Sequence, residues 1–134
     1  SFWVERENLQ GVANWFRTQA AEEHDHAMKI ASFLNEWDLP IILKSPRDPS
    51  TEFDSLEAVF AAALAHEECV TEQIKNIFRV AREESAWHIE VAFQWFITEQ
   101  VEEEATARDN LAKIGMVGSN PAALLGFDRH LSAQ

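Results

Sequence analysis

Residues 9–37 read LQGVANWFRTQAAEEHDHAMKIASFLNEW, and one set of side chains within them recurs at alternating steps of four and three positions. The members of this set are Val12, Phe16, Gln19, Glu23, His26, Ile30, Phe33 and Trp37. Side chains with this spacing lie along one face of an α-helix, because the helix completes a turn about every 3.6 residues. The stretch therefore predicts a long helix from about Leu9 to Trp37 that turns this face to a core.

The same spacing occurs twice more, which predicts two further long helices. The second stripe consists of Leu56, Phe60, Ala63, Glu67, Val70, Ile74, Ile77 and Ala81. The third consists of Ile89, Phe93, Phe96, Gln100, Glu103, Ala107, Asn110 and Ile114. Asp54 and Glu57 are expected to cap the start of the second helix, and Gly115 is expected to end the third. A short last helix is predicted from about Pro121 to Leu131, because proline is favoured in the first turn of a helix.

The connections between these helices indicate how they are arranged. The segment from Asp38 to Asp54 contains three of the four prolines and cannot be helical throughout. When extended it is long enough to span a long helix, and such a crossover allows the first and second helices to run parallel. The junction near Glu84 to Ala86 is short, which predicts that the second and third helices are antiparallel neighbours. We expect one all-α domain over residues 1–134.

Composition excludes several classes of protein. The chain has 23 acidic and 11 basic residues and a formal charge of −12. Such a surface repels nucleic acids and anionic membranes and attracts cations. No apolar stretch approaches the ~20 residues that a membrane-spanning helix needs. The single cysteine rules out an internal disulfide and a multi-cysteine zinc site, and it fits a reducing compartment, so we expect a cytoplasmic protein.

Five polar residues occupy the apolar stripes near the middle of the three helices. They are Glu23, His26, Glu67, Gln100 and Glu103. With the first two helices parallel and the third reversed, these side chains should converge inside the bundle. Burying unpaired carboxylates costs several kcal/mol each, and the stripes contain no lysine or arginine that could neutralise them. A bound metal cation is therefore the simplest explanation for their position.

Glu23 and His26 are one helical turn apart, a spacing that lets a carboxylate and an imidazole bind one iron together. The alternative is a hydrogen-bonded Glu–His pair in the core, which leaves Glu67 and Glu103 unexplained. Glu67 could also be a structural residue that faces a polar gap. Gln100 is a poor metal ligand, and we expect it to hydrogen bond a neighbouring carboxylate or a metal-bound water.

The remaining polar residues are weaker candidates. An acidic run such as residues 102–104 usually forms a solvated helix face. For Glu104, a solvated surface position explains the sequence as well as a functional position does. Four histidines lie off the stripes and are expected on the surface: His24, His66, His88 and His130.

Three motifs resemble those of a bacterial non-haem ferritin. They are Glu22-Glu23-His24-Asp25-His26, Glu67 with Thr71 four residues later, and the run from Trp95 to Glu104. The resemblance covers nearly the whole chain. It implies a ferritin-like four-helix bundle with a long crossover, of which this chain supplies three long helices and a short C-terminal helix.

The resemblance also implies a role for each candidate residue. Glu23 would bridge two irons, His26 would bind the first and Glu67 the second, with Gln100 beside them in a ferroxidase centre. Four carboxylates match those that hold a third iron nearby in this family: Glu22, Glu99, Glu102 and Glu103. Bacterioferritins carry Glu-x-x-His on the last long helix, where this chain has Gln100 and Glu103, so no haem is expected.

Proteins of the family that the chain resembles oxidise Fe(II) with oxygen or hydrogen peroxide and store the Fe(III) mineral inside a homo-oligomeric shell of 24 subunits. The resemblance implies the same iron-storage and ferroxidase function here. Two alternatives remain: an iron-binding cage subunit without full ferroxidase activity, and a peroxide-scavenging di-iron protein of the rubrerythrin type. The lack of a cysteine-rich iron module argues against the second alternative.

The sequence departs from this family at its beginning. Ferritins have a further long helix before the position of Trp3, which donates a carboxylate to the first iron. The resemblance therefore leads us to expect a subunit in which that helix is absent or truncated. A tyrosine near the centre is also missing, since the chain has no tyrosine. Three helices would leave an apolar groove open, so we expect another segment, upstream or from a partner, to fill it.

Overall fold

The computed structural model describes residues 8–37 and 53–134, and every regular element in these ranges is an α-helix. The helices are α1 (Gln10–Glu36), α2 (Leu56–Glu83), α3 (Trp87–Val117) and α4 (Pro121–Ser132). The predicted all-α class is therefore confirmed. Within the same ranges, no helix is both long enough and apolar enough to cross a membrane.

The bounds of the first and last helices agree with the sequence. α1 begins and ends one residue inside the predicted limits, and α4 ends one residue beyond its predicted limit. Residues 38–52, which form most of the predicted crossover, lie outside the described residues. The parallel direction of the first two helices therefore stays a prediction.

The start of α2 differs from the predicted capping pair of Asp54 and Glu57. Ser55 is the N-cap residue: its backbone is extended, and its hydroxyl accepts a hydrogen bond from the Ala58 amide at 3.1 Å. A side chain at the N-cap reaches the amide three residues later, and Ser55 stands at that distance from Ala58. The predicted pair is therefore wrong, because the helix begins one residue later than that pair requires.

The end of α3 also differs from the prediction. The helix continues past Gly115 to Val117, and Gly118 is the C-cap residue with a φ of 59°. This left-handed conformation favours glycine, and the Gly118 amide donates to the Ile114 carbonyl at 3.1 Å. Gly115 was the wrong stop because a glycine inside a helix costs only about 1 kcal/mol relative to alanine.

The described residues divide into two compact units, one built from α2 and α3 and the other from α1 and α4. The prediction that the whole chain is one domain is not tested by this division and stays a prediction.

In the α2–α3 unit, residues 84–86 join the two helices, as predicted. Ser85 adopts a φ of 54°, and the Ala86 amide donates to the Ala81 carbonyl at 2.7 Å, which closes a tight helical hairpin. At the same end, Arg82 pairs with Glu90 at 2.8 Å. The residues buried in this unit come mainly from the two predicted stripes and include Phe60, Ile74, Phe93, Phe96, Ala107 and Ile114. The antiparallel packing of α2 and α3 is therefore confirmed.

In the α1–α4 unit, the two helices meet near the start of α1. Leu9, the N-cap residue of α1, offers no side-chain hydrogen bond. Asp128 of α4 supplies the capping hydrogen bond instead, because the Asp128 Oδ1 accepts from the Val12 amide at 2.8 Å. A Cβ atom at Gly11 would overlap the main-chain oxygen of Asp128 and the hydroxyl of Ser132. The absence of a side chain at Gly11 therefore allows α4 to approach closely enough to cap α1.

Candidate metal centre

The best-defined part of the candidate site is a buried pair that joins α2 to α3. Glu67 is 8% exposed and Gln100 is 4% exposed. The Gln100 side-chain amide donates one hydrogen bond to the Glu67 Oε2 at 2.7 Å and a second to the Glu67 main-chain carbonyl at 2.9 Å. Two oxygen acceptors can be met only by the NH₂ group of the amide, so its orientation follows from the chemistry.

These two hydrogen bonds use both N–H groups of Gln100. The predicted hydrogen bond between Gln100 and a neighbouring carboxylate is therefore present. Within residues 8–37 and 53–134, Gln100 is the only hydrogen-bond partner of the Glu67 carboxylate. One amide donor orients a carboxylate but does not neutralise it, so the second oxygen keeps its capacity to bind a cation.

Thr71 strengthens the turn of α2 that presents Glu67. Its hydroxyl donates to the Glu67 carbonyl at 3.0 Å, the same carbonyl that accepts from Gln100. The main chain at Glu67 is thus held from its own helix and from α3. These two hydrogen bonds fix the main chain from which the Glu67 side chain projects.

Glu23 and His26 lie one turn apart on α1, on the face predicted from the sequence. Both are half-buried and both have interaction partners within the chain. They belong to the α1–α4 unit, whereas Glu67 and Gln100 belong to the α2–α3 unit. The convergence of these four side chains on two irons therefore stays a prediction.

The carboxylates proposed for a third iron differ in exposure. Glu99 and Glu103 are half-buried on α3, whereas Glu102 and Glu22 are exposed. Their role as ligands stays a prediction. Among the described residues, no three His, Cys, Asp or Glu side chains lie close enough together to hold a metal ion.

Several residues outside the site can be compared with their predicted positions. Glu104 pairs with Arg108 at 3.4 Å on α3, but only 22% of its side chain is exposed, so it is half-buried rather than fully solvated. The four histidines off the stripes are exposed. Cys69 lies off the stripes and was expected only to fill space, but it is exposed, and its sulfur lies 3.9 Å from the Gln73 side-chain nitrogen.

Asn110 is a polar core residue that the sequence did not single out. It is 0% exposed, and within the described part of the chain neither atom of its amide has a hydrogen-bond partner. The sequence contained a signal for its burial, because Asn110 stands in the same core-facing stripe as Gln100 and Glu103. Buried amides are normally hydrogen-bonded, because one without partners costs about 1–3 kcal/mol.

Long amphipathic helices with glutamates in their core-facing stripes are typical of ferritin-like proteins. The family model described as ferritin, ferritin-like domain, matches residues 1–117, and the chain belongs to this family. As a member of this family, the chain is an iron-storage ferritin subunit, and the family implies that it binds iron.

Relatives and solved structures agree with this assignment. The chain is 30% identical over 132 residues to a bacterial non-heme ferritin of Staphylococcus epidermidis, covering 98% of this chain and 80% of the relative. It is 28% identical to one of Staphylococcus aureus, with the same coverage. Among solved structures, an open-pore ferritin from the hyperthermophilic archaeon Archaeoglobus fulgidus superposes with a TM-score of 0.93 at 36% identity, covering 98% of this chain and 82% of that one. An engineered closed form of the Archaeoglobus fulgidus ferritin gives a TM-score of 0.92 at the same identity.

Proposed function

We propose that the chain is an iron-storage ferritin subunit that oxidises Fe(II) at a di-iron centre. In this proposal Glu23 bridges the two irons, His26 binds the first and Glu67 binds the second. The observation that carries it is the buried Glu67 carboxylate, which one amide orients and no described lysine or arginine neutralises. A ferrous ion bound by the Glu67 carboxylate would offset the cost of burying its charge.

Iron is the substrate in this reaction. Two ferrous ions give up one electron each, and one oxygen molecule takes both electrons with two protons to become hydrogen peroxide. Hydrogen peroxide as the oxidant would take the same two electrons and two protons and become two waters. Carboxylate ligands favour the ferric product, because oxygen donors stabilise a hard, highly charged ion. Gln100 acts as a positioning residue that keeps Glu67 directed at the metal.

Storage requires the oxidised iron to leave the centre. We assign this step to the carboxylates Glu22, Glu99, Glu102 and Glu103, which would hold a third iron on its way to a mineral inside a homo-oligomeric shell. The acidic balance of the chain supports this role, because a net charge of −12 concentrates cations near the protein.

The test compares two alanine variants in stopped-flow oxidation of added Fe(II). Glu23→Ala removes the ligand shared by both irons, so we expect the oxidation rate to fall about 10-fold to 100-fold, the loss typical of a disturbed metal site. Glu104→Ala is the matched control, because Glu104 is also a helical glutamate of the acidic chain but pairs with Arg108. Its rate should stay within about two-fold of the original.

Equal losses in the two variants would contradict the proposal, since bulk acidity rather than a defined centre would then drive oxidation. Iron uptake by the unaltered chain without consumption of either oxygen or added hydrogen peroxide would favour the alternative of an iron-binding cage subunit that lacks ferroxidase activity.

A further inference from the structure

Asn110 is a buried amide in the α2–α3 unit whose hydrogen-bonding capacity is unused. Among the described residues, the buried polar side chains are Glu67, Gln100 and Asn110. Glu67 and Gln100 hydrogen bond to each other, whereas neither amide atom of Asn110 has a partner in residues 8–37 and 53–134. Buried amides are nearly always hydrogen-bonded. The Asn110 side chain therefore indicates a bound molecule inside the unit.

Two contacts along the interface fix the part of α2 that faces Asn110. Gln100 of α3 meets Glu67 of α2. Farther along α3, a Cβ atom at Gly115 would lie 3.7 Å from the Glu57 Oε1. Asn110 stands between Gln100 and Gly115 and is closer to Gly115. Because the two helices are antiparallel, Asn110 faces the turn of α2 that follows Glu57.

That turn offers no side chain that could pair with Asn110. Residues 58–62 read AVFAA, and none of these side chains can donate or accept a hydrogen bond. A main-chain carbonyl within a helix can accept a second hydrogen bond, as the Glu67 carbonyl does from Gln100. A carbonyl of this turn is therefore the acceptor that α2 offers to Asn110.

Side-chain length distinguishes Asn110 from Gln100. Gln100 reaches a main-chain carbonyl of α2 directly, at 2.9 Å. Asparagine has one methylene fewer and falls short by about 1.5 Å, the length of a carbon–carbon bond. Two hydrogen bonds of ~2.8 Å that meet at the tetrahedral angle of a water span about 4.5 Å, which exceeds one direct hydrogen bond by nearly the same distance. A single water therefore makes up the difference in length.

We propose that Asn110 binds one internal water molecule between α2 and α3. The water accepts a hydrogen bond from Nδ2 and donates to Oδ1, and its second hydrogen goes to a main-chain carbonyl in residues 58–62. A buried water in a protein typically makes about three hydrogen bonds. The water joins the two helices about three turns from the Glu67–Gln100 pair and fixes their register at a second level.

Other ligands fit this position less well than water. Asn110 is 0% exposed, so a second copy, a partner protein or a larger organic molecule cannot reach it. A cation would use Oδ1 and leave the NH₂ group unpaired, and an anion would do the reverse. Water donates and accepts at once and is small enough for a packed core. This water is independent of the iron chemistry proposed above, so it is tested in the iron-free chain.

Crystallography of the iron-free chain tests the water directly. At a resolution that shows single ordered waters, we expect a density peak about 2.7–3.2 Å from the Asn110 amide and from a main-chain oxygen of residues 58–62. In Asn110→Gln the longer amide should reach that oxygen itself, as Gln100 does at its own level, and the peak should disappear. A water occupies about 30 Å³, which is close to the volume of a methylene group, so the helices keep their positions.

Urea denaturation gives an independent measurement. Asn110→Gln should keep the denaturation midpoint of the unaltered chain, because the added methylene replaces the water. Val59→Ile is the matched control, since it adds the same group to a buried residue, 5% exposed, in the facing turn of α2. No water is displaced there, so the core becomes overpacked and the midpoint should fall.

Three results would overturn the water site. The first is an iron-free structure with no density peak at the Asn110 amide, and the second is a protein group that pairs with both amide atoms. The third is a fall in the midpoint of Asn110→Gln as large as that of Val59→Ile, because the added methylene would then have displaced nothing.

Discussion

The two units of this molecule hold their helices together in different ways. In the α2–α3 unit, buried residues are spread along α2 from Leu56 near its start to Ala81 near its end, with buried partners along α3. In the α1–α4 unit, the buried residues of α1 are confined to positions 11–13, and those of α4 are Phe127 and Leu131. The first interface is distributed over two long helices, and the second is concentrated at one crossing.

This difference determines how each unit responds to a change in sequence. A distributed apolar interface loses a limited part of its free energy when one residue changes, because neighbouring turns keep their contacts. A local crossing that needs a glycine and a single cap depends on those individual positions. The three substitutions below test this contrast, in order of decreasing expected effect.

The largest effect is expected from Gly11→Ala. The added methyl group would overlap the Asp128 carbonyl and the Ser132 hydroxyl, so α4 must move away from α1. We expect the free energy of unfolding to fall by about 3 kcal/mol, the upper part of the usual range for overpacking. Urea denaturation followed by circular dichroism measures the loss.

Gly126→Ala is the control for this substitution, because Gly126 also lies in a helix but has open space where its Cβ would stand. Alanine is the better helix former, so this change should stabilise the protein by up to about 1 kcal/mol. If both alanine variants had the same stability, the close crossing of α1 and α4 would not be needed.

A smaller effect is expected from Gln100→Leu in the distributed unit. This change leaves the buried Glu67 carboxylate without its hydrogen-bond donor, which should cost about 2 kcal/mol in the iron-free protein. The double variant with Glu67→Leu removes both polar partners and should regain most of that loss. Stability is measured by urea denaturation of all three proteins with a metal chelator present.

An additive result, in which the double variant is less stable than either single variant, would mean that the two side chains do not depend on each other. The cost of the single change would then come from lost packing at this turn.

The smallest effect is expected from Asp128→Ala, which removes the cap that α4 provides to α1. A lost helix cap typically costs about 1 kcal/mol. Ser55→Ala is a useful comparison, because Ser55 caps α2 from within its own chain segment. Thermal melting should show similar losses for the two alanine variants and a smaller loss for Asp128→Asn, which keeps an acceptor oxygen. A loss for Asp128→Ala well below that for Ser55→Ala would show that the cap from α4 adds nothing.

The features that the sequence predicted well are those that repeat. The stripes of α2 and α3 could be identified because a buried helical face imposes its spacing at every turn. The same reasoning identified Glu67 and Gln100 as polar residues in an apolar register, and their hydrogen bond joins the two helices. The short connection at residues 84–86 was equally clear, since two long stripes end and begin beside it.

The features that it missed depend on single atoms or on distant partners. Asp54 and Ser55 are both good N-cap residues, and a shift of one residue decided between them. Gly115 and Gly118 are both plausible stops, and only the backbone conformation distinguishes them. The contact between Val12 and Asp128 joins residues 116 positions apart, so no local pattern could indicate it. The predicted metal centre depends on distant residues in the same way, because its predicted ligands come from both units. A local sequence pattern can identify each ligand but not the contacts among them.

That separation of 116 positions also has a consequence for the order of folding. The α2–α3 hairpin needs only a tight local turn, so its helices can pair soon after they form. The cap of α1 must wait until a loop of more than a hundred residues has closed, which carries a larger entropic cost. During synthesis α1 leaves the ribosome long before α4 has been made, and its first turn stays uncapped throughout that interval. We therefore expect hydrogen exchange during refolding to protect the amides of α2 and α3 first and the Val12 amide last.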